Sequence, residues 1–302
     1  MTATIISASD ASYFHLLKGL ILSIRDKPQG EEIALSILDV GLENNQRSWL
    51  KARGAIISEP EWDFDILSSF EAPSHFRALL ARPFLPRYFP GHSVYLHIDS
   101  DAWVQTWDTV EIYLAAAKKG SLAITPQIDR SYNTIYKRPR PYRRTQNYRS
   151  FKWSYGWRIA DRLARNPILN CGVFALSADA PHWDLWATAI RHAIKRRTFP
   201  ARKGWPTLYF KLIEQTALNY VVFADKAPAA FLPATCNWFC AHAAPKYQPA
   251  SRLLVEPHEP HQPLGIIHLA GEEFQNRVFT VESLDNRTVQ TRLRYEDIQA
   301  LV

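Results

Sequence analysis

Two aspartates one residue apart follow an apolar run in the stretch VYLHIDSDAW at residues 94–103. The run predicts a buried strand, and side chains two apart on a strand point to the same side, so Asp99 and Asp101 should project together from its carboxyl end. Two carboxylates this close repel each other unless a cation compensates them, and hard oxygen ligands suit Mg²⁺ or Mn²⁺. The pair therefore predicts a divalent metal site, and surface carboxylates that cap the next helix are the simpler alternative.

The elements around this pair alternate between strands and helices. An apolar run at residues 3–9 leads to Asp10 and a helical pattern, IALSILDV ends near Asp39, and a second helical pattern and the strand AIISE follow. This alternation predicts an α/β fold with a mainly parallel sheet. Ligands bind outside the carboxyl ends of such strands, so Asp10 and Asp39 are expected at the same edge of the sheet as the aspartate pair.

The second half of the chain is less regular. Residues 128–167 crowd Arg, Lys, Tyr, Trp and Pro together without a clear period, and we interpret them as an inserted loop region. Two helices are predicted at roughly 180–197 and 205–223, and a strand, LGIIHLAG, and a hairpin turning at Asp285 and Asn286 come after them. We therefore divide the chain into a domain at 1–274, which contains the insert at 128–167, and a C-terminal hairpin extension at 275–302.

The composition restricts the class of protein. The 302 residues are 47% hydrophobic, enough to fill a large core, and the formal charge of +7 favours an anionic partner: nucleic acid, a phosphate-bearing small molecule or an anionic lipid surface. No basic region precedes an apolar stretch at the start, and no segment is apolar for long enough to span a bilayer. The three cysteines, Cys171, Cys236 and Cys240, are interpreted as buried thiols. We expect a cytoplasmic protein, with contact at the inner membrane surface left open.

The chain has neither of the common glycine-rich phosphate loops. The first strand is followed by SASDASY instead of GxGxxG, and GxxxxGK[ST] occurs nowhere. A metal ion held by the aspartates would then be the natural partner of a diphosphate, because it neutralises charge that develops on a leaving nucleotide. A sugar nucleotide fits that chemistry.

Six motifs in a fixed order extend this interpretation. The sequence resembles the GT-A fold glycosyltransferases, and most closely the retaining family 8 enzymes that use UDP-sugars. The resemblance spans residues 3 to about 271 and is carried by ASDASY at 8–13, SHFRALLARPFLP at 74–86, LHIDSDAWV at 96–104, NCGVFALS at 170–177, EQTALN at 214–219 and IHLAG at 267–271. It implies a mainly parallel, Rossmann-like sheet flanked by helices, and hexose transfer from a UDP-sugar with retention of configuration.

The resemblance also implies roles for the matched residues. Asp99 and Asp101 would be the DxD metal ligands, with His268 completing the coordination of Mn²⁺ or Mg²⁺. Asp10 and Tyr13 would hold the uracil, and Arg77 would reach the donor sugar or its phosphates. The remaining donor contacts would come from Ser100, Asn170, Gly172 and Gly271.

Catalysis is assigned by the same resemblance to Glu214 and Gln215, which would face the anomeric carbon near Asn170. One of them could stabilise an oxocarbenium-like centre, or the leaving phosphate could itself deprotonate an acceptor that attacks from the same face. Both routes stay open.

Two departures from the family pattern concern the donor and the acceptor. The family continues its histidine motif as HxxGxxKPW, whereas HLAGEEFQN places Phe274 at the lysine position, so another cation, such as Arg277, would have to serve. The basic aromatic segment at 129–157 is expected to bear on the acceptor, with Arg143, Arg144 and Trp153 as contacts. Arginine binds carboxylate or phosphate in bidentate fashion and aromatic faces pack on sugar rings, so an anionic glycan or glycolipid is predicted.

Two rival functions remain. Phosphatases of the haloacid dehalogenase type also carry a DxD at a strand end, although their motif lies near the amino terminus. A nucleic-acid or anionic-polymer binding protein would use the interleaved aromatic and basic residues between Tyr132 and Trp157, but it leaves the acids at the strand ends unexplained. Nucleic acid is therefore not the favoured partner.

Overall fold

A computed structural model describes residues 2–65, 73–132, 141–196 and 210–301 of the chain. The strands in these ranges are β1 (Ala3–Ser9), β2 (Ala34–Asp39), β3 (Ala55–Ser58), β4 (Val94–Ile98), β5 (Ala102–Val104), β6 (Leu122–Pro126), β7 (Leu169–Ser177), β8 (Ala229–Phe231), β9 (Trp238–Phe239), β10 (Lys246–Gln248), β11 (Leu253–Val255), β12 (Ile266–His268), β13 (Phe279–Glu282) and β14 (Thr288–Thr291).

Helices cover both faces of the sheet that these strands build. The α-helices are α1 (Phe14–Arg25), α2 (Pro28–Glu32), α3 (Asn44–Lys51), α4 (Phe76–Ala81), α5 (Leu85–Tyr88), α6 (Trp107–Lys118), α7 (Gln146–Tyr155), α8 (Trp157–Leu163), α9 (His182–Lys195), α10 (Ile213–Phe223), α11 (Glu272–Gln275) and α12 (Tyr295–Gln299). Short 3₁₀ helices lie at Arg82–Phe84, Tyr142–Arg144 and Ala234–Cys236. Among the helices of the described ranges, none combines the length and the apolar character needed to cross a bilayer.

The central sheet has the strand order β3-β2-β1-β4-β7-β6-β8. Strands β3, β2, β1 and β4 run parallel, and β7 runs antiparallel to both of its neighbours, β4 and β6. The predicted α/β fold with a mainly parallel sheet is therefore confirmed. The reversed direction of β7 matters for the site, because Val173 pairs with Ile98 and the beginning of β7 thus lies beside the carboxyl end of β4.

Alternating side chains of the strands supply two hydrophobic layers. Ile5 belongs to a cluster with α1 and α6, and its neighbour Ile6 belongs to the opposite cluster with α9 and α10. Tyr95 and Leu96 of β4 divide between the two clusters in the same way. Because consecutive strand residues point to opposite faces, a strand buried on both sides is mostly apolar, as β4 is apart from the buried His97.

A second, three-stranded sheet of order β5-β12-β9 extends the fold beyond the carboxyl end of β4. It packs in a third hydrophobic cluster with Phe279, Val281 and Ile298 of the C-terminal segment. Strands β13 and β14 form the predicted hairpin, whose turn holds Asn286 at φ 65°, a conformation that asparagine tolerates well. Trp103 of β5 donates its indole N–H to the carbonyl of Leu293 at 2.9 Å, so this segment is tied to the strand that follows the aspartate pair.

The insert is more ordered than we expected from its sequence. Residues 146–163 form the helices α7 and α8, so the interpretation of 128–167 as a loop region is wrong there, whereas residues 133–140 lie outside the described ranges. Tyr148, Phe151 and Tyr155 are buried at helical spacing. The basic residues between them conceal this period in the sequence, because they lie on the opposite, exposed face of the helix.

Candidate active site

The aspartate pair lies on the loop that joins β4 to β5. The amide of Asp99 donates to the carbonyl of Gly172 at 2.7 Å, and the amide of Leu269 donates to the carbonyl of Asp101 at 2.9 Å. The loop is therefore held by the beginning of β7 on one side and by the end of β12 on the other. Because His268 pairs with Ala102 in the small sheet, the same register brings the imidazole next to Asp101.

Asp99, Asp101 and His268 form a cluster that could bind a metal ion. One possible ligand atom from each of the three lies within 4.8 Å of the others, and Nε2 of His268 is 3.3 Å from Oδ1 of Asp101. The other ring nitrogen, Nδ1, lies 2.9 Å from Oδ1 of Asn237. If Nδ1 donates to this amide oxygen, Nε2 faces the cluster, and it can bind a metal ion once it gives up its proton.

The cluster packs against the backbone of Gly172. A Cβ at this position would lie 2.4 Å from Cε1 of His268 and 2.7 Å from both Oδ2 of Asp99 and Oδ1 of Asn170. Any side chain here would overlap the imidazole and the carboxylate, so a glycine lets these groups come together. Two carboxylates and one imidazole are a donor set that suits Mn²⁺, so the residues present fit a divalent cation.

Charges are unevenly distributed over the cluster. Burial raises the pKa of the Asp99 carboxyl, although the Arg82 guanidinium opposes this shift. Burial acts in the same direction on Asp101, but hydrogen bonds from His268 and Gln275 bring the pKa of this carboxyl below its usual value. For His268, burial works against the charged form, and the neighbouring Asp101 carboxylate outweighs it and raises the imidazole pKa. The pair is thus compensated by cationic and polar neighbours in the absence of a metal.

Arg82 is a site residue that our sequence analysis missed. This arginine is 5% exposed, and its guanidinium contacts Oδ1 of Asp99 at 2.5 Å and Oε1 of Glu214 at 2.7 Å. The structure places Arg77, which the resemblance had suggested, on the backbone carbonyls of Pro60 and Ser74, at 3.2 and 3.4 Å. The signal for Arg82 was its position inside the apolar stretch LLARPFL, where a charged side chain must be buried with partners.

The candidate catalytic residues meet at the beginning of β7. Nδ2 of Asn170 donates to Oε1 of Gln215 at 3.3 Å, and Oδ1 of Asn170 accepts from the amide of Gly172 at 2.8 Å. Glu214 is 4% exposed, and burial raises its pKa to about 7 even though Arg82 opposes this shift. Among the described residues, its second oxygen, Oε2, has no hydrogen-bond partner. The structure therefore brings Asn170 and Gly172 next to Asp99, joins Glu214 to Asp99 through Arg82, and places Gln215 on Asn170.

Asp10 and Asp39, the other two acids predicted at this edge of the sheet, have different surroundings. Oδ1 of Asp10 accepts from the amide of Ser12 at 2.9 Å and from the amide of Tyr13 at 3.0 Å, so this carboxylate shapes the turn into α1. Burial, together with the nearby Asp101 charge, raises the pKa of the Tyr13 phenol, and the neighbouring Gln275 side chain opposes this shift. Asp39 is buried and accepts from two backbone amides of the turn after β2 and from Arg47 at 2.6 Å.

The remaining donor candidates lie around the two loops. Ser100 is half-buried between the two aspartates, and Gly271 has φ 105° immediately before α11. Arg277 was suggested as the cation that replaces the family's lysine, whose position Phe274 occupies. Its guanidinium carbon lies 5.7 Å from the centre of the Phe274 ring and 5.3 Å from that of the Phe279 ring. Its described contacts are therefore with aromatic faces of the C-terminal segment.

The acceptor candidates differ in exposure. Arg144 is exposed, and Arg143 is exposed but lies 3.2 Å from the Asp161 carboxylate. Trp153 is half-buried and packs against the hydrophobic cluster of α9 and α10. A tryptophan that packs on the core presents less of its ring to a sugar than a surface side chain would. The basic residues Lys137, Arg138 and Arg140 lie outside the described ranges.

Comparison with known proteins supports the fold. No protein-family model matches the chain, and no curated protein matches it in sequence. Among solved structures, the galactosyltransferase LgtC in complex with donor and acceptor sugar analogues has a TM-score of 0.51 at 15% identity, covering 99% of this chain and 94% of LgtC. The glycosyltransferase GlyE from Streptococcus pneumoniae TIGR4 has a TM-score of 0.53 at 14% identity, covering 99% of this chain and 60% of GlyE.

The chain therefore has the fold of these glycosyltransferases, and the GT-A fold predicted from the sequence motifs is confirmed. At identities of 15% and below, the likeness concerns the arrangement of the backbone. What this chain does must be argued from its own site.

Proposed function

We propose that the protein is a glycosyltransferase that moves a hexose from a UDP-sugar to an acceptor, with Mn²⁺ or Mg²⁺ held by Asp99, Asp101 and His268. The observation that carries the proposal is the three-ligand cluster packed against Gly172, in a fold shared with glycosyltransferases. The ion would supply positive charge for the diphosphate as the sugar leaves. Among the described contacts, none gives comparable support to the alternative function of a phosphatase that uses the DxD pair.

The residues around the cluster would contact different parts of the donor. Asp10 and Tyr13 would hold the uracil, and Ser100 and Gly271 would flank the diphosphate. Asn170 and Gly172 lie next to Asp99 and would contact the donor sugar, because a glycine permits close approach of the backbone and an amide can bond to hydroxyls. Arg77 keeps a role only if its side chain leaves the backbone carbonyls that it now contacts.

Glu214 and Gln215 are proposed to act at the anomeric carbon with retention of configuration. Gln215 is fixed by Asn170, and Glu214 is fixed by Arg82, so both side chains are oriented before substrate binds. Retention follows if the acceptor attacks the face from which the diphosphate leaves, or if one of these groups first forms a covalent intermediate.

Calorimetric titration with UDP tests the metal dependence. We expect UDP to bind with Mn²⁺ and to lose at least about tenfold in affinity when EDTA removes the ion, since the cation neutralises the diphosphate next to two carboxylates. Mg²⁺ should restore binding in part. Equal affinity in EDTA would contradict a metal-bridged donor site.

The acceptor is proposed to be an anionic glycan or glycolipid that binds the surface of the insert. Between residues 141 and 165 the one acid is Asp161, whereas several basic side chains are exposed. We call these residues the basic surface: Arg143, Arg144, Arg149, Lys152, Arg158, Arg162 and Arg165. The segment leads directly into Asn170, which places an acceptor bound there close to the donor sugar.

Replacing Arg143 and Arg144 together with alanine tests this acceptor surface. We expect kcat/KM for an anionic acceptor to fall at least about tenfold, because even one charge-assisted hydrogen bond contributes roughly 1.5–3 kcal/mol. Slow hydrolysis of the donor by water should stay unchanged, since the metal cluster is intact. Arg144 should account for most of the loss, because Arg143 is already paired with Asp161.

The control for this experiment is a double change of Lys118 and Lys119 to alanine, which removes two exposed adjacent cations at the end of α6. Its acceptor kinetics and salt dependence should match those of the wild type. If the arginine variant loses donor hydrolysis and acceptor transfer in equal measure, the insert shapes the donor pocket and the acceptor assignment must be withdrawn.

A further inference from the structure

We infer that Gln275, anchored by Arg294, positions Asp101 for metal binding, and this inference rests on the metal site proposed above. Both residues belong to the C-terminal segment beyond the sixth sequence motif. The segment would then be a working part of the donor site and more than an extension that covers hydrophobic surface.

Gln275 reaches the aspartate pair from the end of α11. Its side chain is buried, and Nε2 donates to Oδ2 of Asp101 at 3.0 Å. The same side chain lies close enough to the Tyr13 phenol to oppose the rise of its pKa. One amide is therefore near both a candidate metal ligand and a candidate uracil contact, although the two lie on loops almost ninety positions apart in the chain.

The two carboxylates of the pair are held in a similar manner. Arg82 contacts Oδ1 of Asp99 at 2.5 Å, and Gln275 contacts Oδ2 of Asp101 at 3.0 Å. Oδ1 of Asp101 is thereby turned towards Nε2 of His268, at 3.3 Å, and Oδ2 of Asp99 lies against Gly172, as Cε1 of His268 does. Each carboxylate thus has one oxygen bound by a neighbouring side chain and the other at the cluster.

The neutrality of Gln275 is significant. A second arginine or a lysine in its place would compensate the Asp101 charge permanently and compete with a cation. An amide fixes the orientation of the carboxylate and leaves its negative charge available for the ion. Gln275 would therefore lower the cost of organising the ligands without weakening the attraction of the site for a cation.

Arg294 holds the backbone from which Gln275 extends. Its Nε donates to the carbonyl of Gln275 at 2.8 Å, and Nη2 donates to Oδ1 of Asn276 at 2.6 Å. Arg294 follows Leu293, whose carbonyl accepts the Trp103 indole N–H. Since Trp103 is two residues beyond Asp101, the segment is attached both to Asp101 itself and to the strand that follows it.

Titration with Mn²⁺ in the absence of nucleotide tests the inference. The EPR signal of unbound Mn²⁺ measures how much of the ion the protein binds. We expect Gln275→Met, which keeps the length of the side chain and removes its donor, to weaken Mn²⁺ binding about tenfold, as loss of an outer hydrogen-bond partner does at metal sites. The matched control is Gln290→Met. Gln290 also donates from Nε2, to Oγ1 of Thr280 at 2.8 Å, but on the exposed face of the hairpin, so its loss should leave the affinity unchanged.

A positioning role and a folding defect give different kinetics. If Gln275 orients a ligand, Gln275→Met raises the Mn²⁺ concentration needed for half-maximal donor hydrolysis, and saturating Mn²⁺ restores kcat. A partly unfolded variant would not recover. Arg294→Met supplies an independent test that leaves the amide in place, and we expect it to weaken Mn²⁺ binding in the same direction.

Two results would overturn the inference. In the first, the wild type binds Mn²⁺ and a folded Gln275→Met protein binds it equally tightly. This result would contradict the positioning role and leave the metal proposal unaffected. The second is a wild type that binds no Mn²⁺, which removes the metal site and the positioning role together. If Gln275→Met does not fold, a folded Arg294→Met protein with wild-type Mn²⁺ affinity decides against the inference.

Discussion

Asp101→Asn is expected to reduce Mn²⁺ affinity at least about a hundredfold and to abolish metal-dependent hydrolysis of the donor, because a metal ligand contributes several kcal/mol. The change removes the negative charge from the carboxylate that His268 and Gln275 orient. An amide in the same place also offers an N–H to at least one of these neighbours. EPR titration and donor hydrolysis measure the two effects on the same preparation.

Asp39→Asn is the matched control, since it makes the same chemical change at the end of another strand. Asp39 uses Oδ1 to accept from the amides of Gly41 and Leu42, and an asparagine oxygen can do the same. We expect a modest loss of stability and unchanged Mn²⁺ binding. Equal losses in both variants would show that the two aspartates act through the fold, and the metal assignment of Asp101 would fail.

Arg82→Met is expected to lower the free energy of unfolding by about 3–5 kcal/mol, the usual cost of breaking a buried ion pair on one side. Methionine fills much of the same volume but leaves Asp99 and Glu214 without their shared cation. Urea unfolding in EDTA measures the change. Arg287→Met, which removes an exposed pair with Asp285, should leave the free energy of unfolding nearly unchanged, because solvent screens the pair.

The stability that the protein loses on Arg82→Met should be larger at high pH than at low pH. Burial raises the pKa of Glu214 from 4.5 to about 7, so the folded state binds more protons than the unfolded state, and stability falls as pH rises through this interval. Arg82 opposes the raised pKa of both Glu214 and Asp99, and its removal raises these pKa values further. The variant should therefore lose more stability at pH 8 than at pH 5. A deficit that is the same at both values would contradict this origin.

Much of the fold could be predicted because its strands carry clear patterns. The apolar runs of β1, β2 and β4 each end in or just before an acid, and the parallel order of these strands brings the ends together. The direction of β7 could not be predicted, because an apolar strand has the same pattern in either direction. Its reversal explains why Asn170 and Gly172, at the beginning of a strand, lie beside Asp99, at the end of another.

The sequence indicated the clustered residues that lie in short motifs, and it gave no signal for neighbours whose contacts join distant segments. Asp99 and Asp101 were found from their spacing, and His268 from the resemblance. Arg82 was overlooked in favour of Arg77, since both lie in the same helical stretch and only the packing of α4 and the following turn decides which one points inwards. Gln275 carries no signal in the sequence, because its role depends on a contact with Asp101 across 174 positions.

The central claim is that this chain transfers a hexose from a UDP-sugar with the help of a metal ion, and proton NMR of the protein with individual UDP-hexoses and Mn²⁺ tests it most directly. We predict that at least one UDP-hexose is converted to UDP, that the first free sugar has the anomeric configuration of the donor, and that EDTA stops the reaction. Absence of UDP release from every UDP-hexose in the presence of Mn²⁺ would contradict the proposed donor, and a first product of inverted configuration would contradict retention and the roles of Glu214 and Gln215.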